Sequence, residues 1–284
     1  MPGDPSKLRV ALLTNVFFDE RGEERLRQEL ARAREDEASL AVLPELPLNS
    51  WCPATRVSRS EDAEPPGGRR HLVQSRAASE ARIGLIGGAI VLEPESWRRF
   101  NAALVFAADG KLVSSYRKLH LPDEEYYWEA HHFEPGDELP TRVDAFRMPI
   151  GIQICSDINR PTGAQYLAAL GTEVIVVPRA TPAETYERWR LVMRAVAASC
   201  AVYVVSVNRP GGESGAWIGG PSVAIDPRGE VLLETKDLFA VVTLDSAVVR
   251  AARTDYPGYL AHRSALYARA WQQAARSPSR QENP

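Results

Sequence analysis

Cysteine is scarce in this chain: Cys52, Cys155 and Cys200 are the only three in 284 residues. An odd and sparse set builds no disulfide framework, so each is expected as a free thiol. Long apolar runs are missing as well, and no stretch approaches the ~18–20 residues that span a bilayer. The opening Met1-Pro2-Gly3-Asp4-Pro5 has neither the basic segment nor the apolar stretch of an export signal. The expectation is a cytoplasmic protein with no membrane partner. Positive charge is not in excess: 34 Lys and Arg stand against 37 Asp and Glu, a formal net charge of -3. That removes the electrostatic footprint of a nucleic-acid binder. Histidine is limited to His71, His120, His131, His132 and His262, none spaced from acids or thiols as metal ligands are. No metal or other cofactor is expected.

What is present is an ordinary globular balance, 44% apolar and 25% charged. Short β-rich runs alternate with helical periodicity throughout. Strands are expected at Leu8–Thr14, Leu40–Leu43, Ile83–Leu92, Ile150–Cys155, Val174–Val177, Val202–Val207, Ser222–Ile225, Val231–Glu234 and Ala240–Leu244, with a hairpin of Asn101–Phe106 and Lys111–Tyr116. Helices are expected at Glu23–Glu37, Gly67–Arg82, Thr162–Leu170 and about Ala183 to Cys200. The last carries Tyr186, Trp189, Met193, Val196 and Cys200 on one face. Ser58–Gly68 and the two ends read as poorly ordered. No internal repeat or linker is visible, so the pattern points to one α/β domain over 1–284 with a mixed sheet folded as two layers, a helical tail from about 256 and a frayed Ser277–Pro284. The stretch from Lys118 to Pro140 has no periodicity and is rich in aromatic, acidic and histidine residues. A loop of that length is usually functional.

Three strand ends carry reactive groups. Cys155 closes an isoleucine-rich strand just before a helical segment, where N–H groups favour thiolate over thiol; the alternative is a small buried hydrophobe. Leu43-Pro44-Glu45 runs a buried strand into a carboxylate that serves as a general base if desolvated, or else is a solvated loop glutamate. Lys118, in Tyr116-Arg117-Lys118-Leu119-His120-Leu121-Pro122, offers a fixed ammonium to a developing oxyanion, unless this is a basic surface cluster.

In order, Leu43-Pro44-Glu45, Tyr116 to Leu121 and Gly151-Ile152-Gln153-Ile154-Cys155-Ser156-Asp157 resemble the three blocks of the carbon–nitrogen hydrolase family, the nitrilase superfamily. Phe133-Glu134-Pro135-Gly136-Asp137 resembles the segment that the family places between the second and third blocks. Val207-Asn208-Arg209-Pro210 and 220–232 resemble later strands. The likeness runs from about residue 8 to 246. It implies a four-layer αββα sandwich, a homodimer or larger homo-oligomer, and a Glu45–Lys118–Cys155 triad. A further assisting glutamate is implied between the lysine and the cysteine: Glu129 fits its offset from Phe133, with Glu124 and Glu125 as competing choices.

The reaction implied is hydrolysis of a non-peptide C–N bond through a thioester on Cys155, with Lys118 and the Ser156 backbone N–H holding the oxyanion and ammonia released. Ser156-Asp157 after the cysteine leans towards a small amide or N-carbamoyl substrate, although Ser156 replaces a bulkier residue. Trp51, Tyr126, Arg160 and Arg179 are candidate substrate contacts. Trp217 is a further candidate wall, and Tyr256–Trp271 is either a contact between copies or a cap on its own domain. The alternatives are a nitrilase or acyl-transferring relative with the same triad, or a catalytically silent binding member of the fold.

Overall fold

The computed structural model describes residue 4, residues 6–213 and residues 215–276. The first half runs β1 (Lys7–Leu13), α1 (Gly22–Glu35), β2 (Leu40–Val42), α2 (Arg69–Ala81), β3 (Gly84–Leu92), β4 (Arg99–Phe106), β5 (Leu112–Arg117). The second runs β6 (Ile150–Ile152), α3 (Pro161–Ala169), β7 (Val174–Arg179), α4 (Tyr186–Cys200), β8 (Tyr203–Asn208), β9 (Ser222–Ile225), β10 (Val231–Thr235). Each half is therefore the same βαβαβ crossover followed by two more strands. The halves share topology without sharing sequence, which is why no repeat is visible in the residues. β11 (Phe239–Asp245), α5 (Ser246–Thr254) and α6 (Ser264–Arg276) complete the order.

Two sheets result, β11-β1-β2-β3-β4-β5 and β10-β9-β8-β7-β6. In each, the three strands joined through helices are parallel and the rest antiparallel. Alternation along the strands sorts side chains between layers. Leu8, Val10 and Leu12 of β1 meet Val174 and Val176 of β7 and Val205 of β8 in a core between the sheets. Their neighbours Ala11 and Leu13 turn outward onto Leu26 and Leu30 of α1 and Ala77 of α2. On the other sheet, Ile175 and Val204 meet Leu167 of α3 and Met193 and Val196 of α4. The layers are helix, sheet, sheet, helix, the four-layer arrangement expected. Ile150, Ile152 and Ile154 do share the inner face.

Several expectations shift. The strand expected to reach Cys155 stops at Ile152, and Cys155 opens a 3₁₀ turn over Cys155–Asn159. A short helix not expected from the sequence, α5, precedes the tail, and within the tail helix begins only at Ser264. The Ser58–Gly68 stretch holds a 3₁₀ turn at Ser60–Asp62, and Glu64 bridges Val91. The expected fraying of Ser277–Pro284 lies outside the described residues. No helix among the described residues is long and apolar enough to cross a membrane.

Candidate active site

Parallel strands of one sheet deliver their C-terminal ends to a common rim, where crevices form in α/β folds. Glu45 arrives just past β2, after Leu43 extends the pairing through its N–H to the Ile86 carbonyl. The chain then turns through Leu46 at φ 49°. Arg209, at the end of β8, fixes that turn from the other sheet. Its guanidinium donates to the carbonyls of Glu45 (2.8 Å), Leu46 (2.6 Å) and Asn49 (3.0 Å), and its charge is met by Glu213 at 2.6 Å.

Lys118 follows β5. Its N–H donates to the Asn101 carbonyl, and its own carbonyl accepts from Gly136. A side chain on Gly136 would come within 2.7 Å of the Arg117 carbonyl, so the Phe133–Asp137 segment backs the lysine only because glycine stands there. The ammonium is enclosed. It donates to Glu45 Oε1 at 2.7 Å and to Glu129 Oε1 and Oε2 at 2.6 and 2.7 Å, and all three side chains are at most 1% exposed. Asn101 on β4 donates to Glu45 Oε1 at 2.7 Å and Glu129 Oε2 at 3.3 Å. Of the three loop glutamates weighed, Glu129 reaches the lysine; Glu124 lies on the cavity wall, and Glu125 is exposed.

Burial alone would discharge Lys118, but the Glu129 and Glu45 carboxylates outweigh it and raise its pKa. Glu129 is pushed up from the usual carboxylate range to about 7: burial raises it more than the Lys118 ammonium lowers it. Glu45 Oε2 is buried with no hydrogen-bond partner among the described residues.

Cys155 sits in the left-handed region at φ 47°, a conformation uncommon outside glycine and concentrated at functional sites. The turn is pinned by Asp157, whose buried carboxylate accepts from the Tyr116 hydroxyl (2.8 Å), the N–H groups of Leu119 (3.2 Å) and His120 (2.9 Å), and the Ile154 N–H (3.2 Å). One carboxylate thus ties the cysteine turn to the strand end that carries Lys118. The expected stabilisation of thiolate is not what results. Burial pushes the thiol well above its ordinary value and Glu45 adds to this, against the lowering effects of Lys118 and a backbone hydrogen bond from Ala180. The balance favours the thiol over the thiolate.

The sulfur opens onto a cavity of about 290 Å³, walled by Tyr127 and Trp189 and edged by Asn159, Thr181, Glu124 and Arg188. Glu129 and Ser156 line it too. Four expected substrate contacts lie outside this lining. Trp51 is buried in a small core with Leu46 and Phe133, its indole N–H on the Tyr126 carbonyl at 3.0 Å. Tyr126 gives only its backbone carbonyl to that contact and does not line the cavity, where its neighbour Tyr127 stands instead. Arg160 is exposed at the start of α3, where Asn159 takes the lining position. Arg179 is fully buried and committed to Ser206, Thr181 and Pro221. Trp217 is 69% exposed. Asn101, Asp157 and Arg209 were missed as site residues because each acts through partners distant in sequence. The Ser156-Asp157 dipeptide was the one signal available.

A model of the carbon–nitrogen hydrolase family matches residues 19–254. The chain belongs to that family. The hydrolase is 32% identical over 203 residues to omega-amidase NIT2 of Homo sapiens, covering 68% of this chain and 73% of that one. It is 31% identical over 225 residues to an (R)-stereoselective amidase of Pseudomonas sp, covering 78% of each. Saccharomyces cerevisiae Nit3, a member of branch 10 of the nitrilase superfamily, superposes with a TM-score of 0.75 at 26% identity, over 89% of this hydrolase and 95% of Nit3. A carbon–nitrogen hydrolase from Helicobacter pylori G27 shares the fold, with a TM-score of 0.79 at 21% identity over 89% and 94% of the two chains.

Proposed function

We propose that this hydrolase cleaves the C–N bond of a small amide or N-carbamoyl compound through an acyl-thioester on Cys155, releasing ammonia. The observation that carries the reading is the buried Glu45–Lys118–Glu129 cluster beside a cysteine that lines a cavity.

Because burial favours the thiol over the thiolate, attack needs a base. Glu45 Oε2, free of partners, takes the thiol proton as sulfur adds to the carbonyl carbon. The proton passes to the departing nitrogen, and ammonia leaves as the C–N bond breaks. Water then adds to the thioester, its proton going to Glu45, and collapse returns a carboxylic acid and the thiol. Lys118 and the Ser156 N–H, at the start of a 3₁₀ turn whose first N–H groups lack partners within the turn, receive the oxyanion. Glu129 and Asn101 hold the lysine in place and keep it charged.

The cavity, at the lower limit of ordinary ligand sites, supports a small substrate. The omega-amidase and (R)-stereoselective amidase relatives support an amide over a nitrile. The test is ammonia release across a panel of small amides, N-carbamoyl amines and matching nitriles. The reading expects turnover of at least one amide or carbamoyl compound, none of the nitriles, and none of either with Cys155→Ala. Turnover of nitriles alone, or activity that survives Cys155→Ala, contradicts it.

A further inference from the structure

We propose that Cys52, Asp62 and His132 form a site for a thiophilic divalent cation of the zinc class, apart from the cavity. One donor atom from each lies within 4.8 Å of the others. None of the three lines the cavity around Cys155. They are 10 and 70 residues apart along the chain, which is why no ligand spacing appears in the sequence. Three short 3₁₀ turns bring them together: Cys52 opens one, Asp62 closes a second, and His132 directly follows a third at Glu129–His131.

The partners of each residue leave a donor free. His132 Nε2 lies 2.6 Å from the Thr55 carbonyl, which only accepts, so Nε2 carries the ring proton and Nδ1 the lone pair. A backbone carbonyl on the second ring nitrogen is the usual support of a metal-ligating histidine. Asp62 Oδ2 accepts from the Arg59 N–H at 3.2 Å, and Oδ1 has no hydrogen-bond partner among the described residues. Arg209 is the nearby cation, and its charge is already met by Glu213.

Charge gives the second reason. A divalent ion replacing the Cys52 thiol proton makes a neutral set with one thiolate and one carboxylate. Sulfur and imidazole select zinc, cobalt or cadmium over magnesium or calcium. Tetrahedral donors around zinc stand roughly 3.5 Å apart, so the three close by about 1 Å on binding. Cys52 and Asp62 are half-exposed, which leaves the fourth position to water. Bound there, the ion joins the 52–62 loop to the turn that carries Glu129, to which the Trp128 N–H already links through the Pro53 carbonyl.

The probe is Co²⁺ alone, titrated into full-length protein stripped with a chelator. The expected result is one equivalent per chain, with a near-ultraviolet thiolate-to-cobalt band and visible bands of tetrahedral intensity, both displaced by Zn²⁺. Cys52→Ser should abolish the thiolate band, Asp62→Asn should weaken binding about 10- to 100-fold, and Cys155→Ser should keep the band. If Cys52→Ser folds poorly, Asp62→Asn with Zn²⁺ melting curves provides the second readout: Zn²⁺, not Mg²⁺, should raise the melting temperature of the wild type far more than that of the variant. A folded wild type with no thiolate band, or a band that survives Cys52→Ser and vanishes with Cys155→Ser, overturns the proposal.

Discussion

Glu45 and Lys118 meet through a single carboxylate oxygen: Oε1 lies 2.7 Å from Nζ, while Oε2 is buried with no hydrogen-bond partner among the described residues. The paired oxygen sets the position of the side chain and the other is left to accept a proton. Glu45→Gln should therefore fold, since an amide oxygen still serves Lys118 and Asn101. It should lose about 10²–10⁴-fold in kcat. It should also slow alkylation of Cys155 by iodoacetamide, because the thiol then has no base beside it. Labelling kinetics at each cysteine, resolved by mass spectrometry, check this; an unchanged Cys155 rate removes Glu45 as the base.

Lys118 is the one cation between two buried carboxylates. Lys118→Met leaves both uncompensated, a change that typically costs 3–5 kcal/mol. Denaturant unfolding should show a loss of about that size, with turnover falling at least about 10²-fold. Arginine is no rescue, because its planar fork does not fit a site built around one nitrogen.

The pH dependence of stability follows from Glu129. Its folded pKa, about 7, stands above the ordinary carboxylate value, so the folded protein holds this proton more tightly than the unfolded chain. The contribution is full below the unfolded pKa and is lost as pH rises through the folded one. Between about pH 4.5 and 7, Glu129→Gln should therefore show a weaker fall of melting temperature with pH than wild type. Parallel curves would contradict the assignment.

Asp157 holds the cysteine turn to the Lys118 strand end through four protein donors, one of them the His120 N–H, besides its contact with the His120 ring. Tyr116→Phe removes one of them and should cost about 1 kcal/mol with modest loss of kcat. Asp157→Leu strands the N–H groups of Leu119, His120 and Ile154 and should cost several-fold more, with kcat falling more than KM rises.

Every residue of α6 is exposed, including Leu266, Tyr267 and Trp271, so the helix does not cap its own core. We propose that a second copy of the chain covers it. Sedimentation should show a dimer or larger assembly for the full chain and a smaller species once residues 256–284 are removed; identical masses would contradict this.

Strand and helix periodicity made a single α/β domain legible but pointed to one mixed sheet in two layers; the division into two sheets and four layers came only with the family resemblance, because local patterns do not say which strands share a sheet. The ordered strand-end blocks brought Glu45, Lys118 and Cys155 together as candidates, and the Phe133 offset pointed to Glu129. The supports were not legible. Asn101 reads as a polar residue inside a strand, and Arg209 as a loop arginine, until the opposite sheet supplies Glu45. Arg179 looked available beside a crevice, but a strand end carried two residues further buries it against Ser206. The thiol state of Cys155 was misread for a similar reason: local N–H groups are visible in sequence, while burial and a neighbouring carboxylate are not.

The most direct measurement is the mass of the protein quenched during turnover of a small amide, with peptide mapping of the adduct. The account predicts an increment equal to the acyl half alone, located on Cys155 and removed by hydroxylamine as a thioester would be. A product burst with no adduct on that residue, or an increment that retains the amide nitrogen, would contradict it.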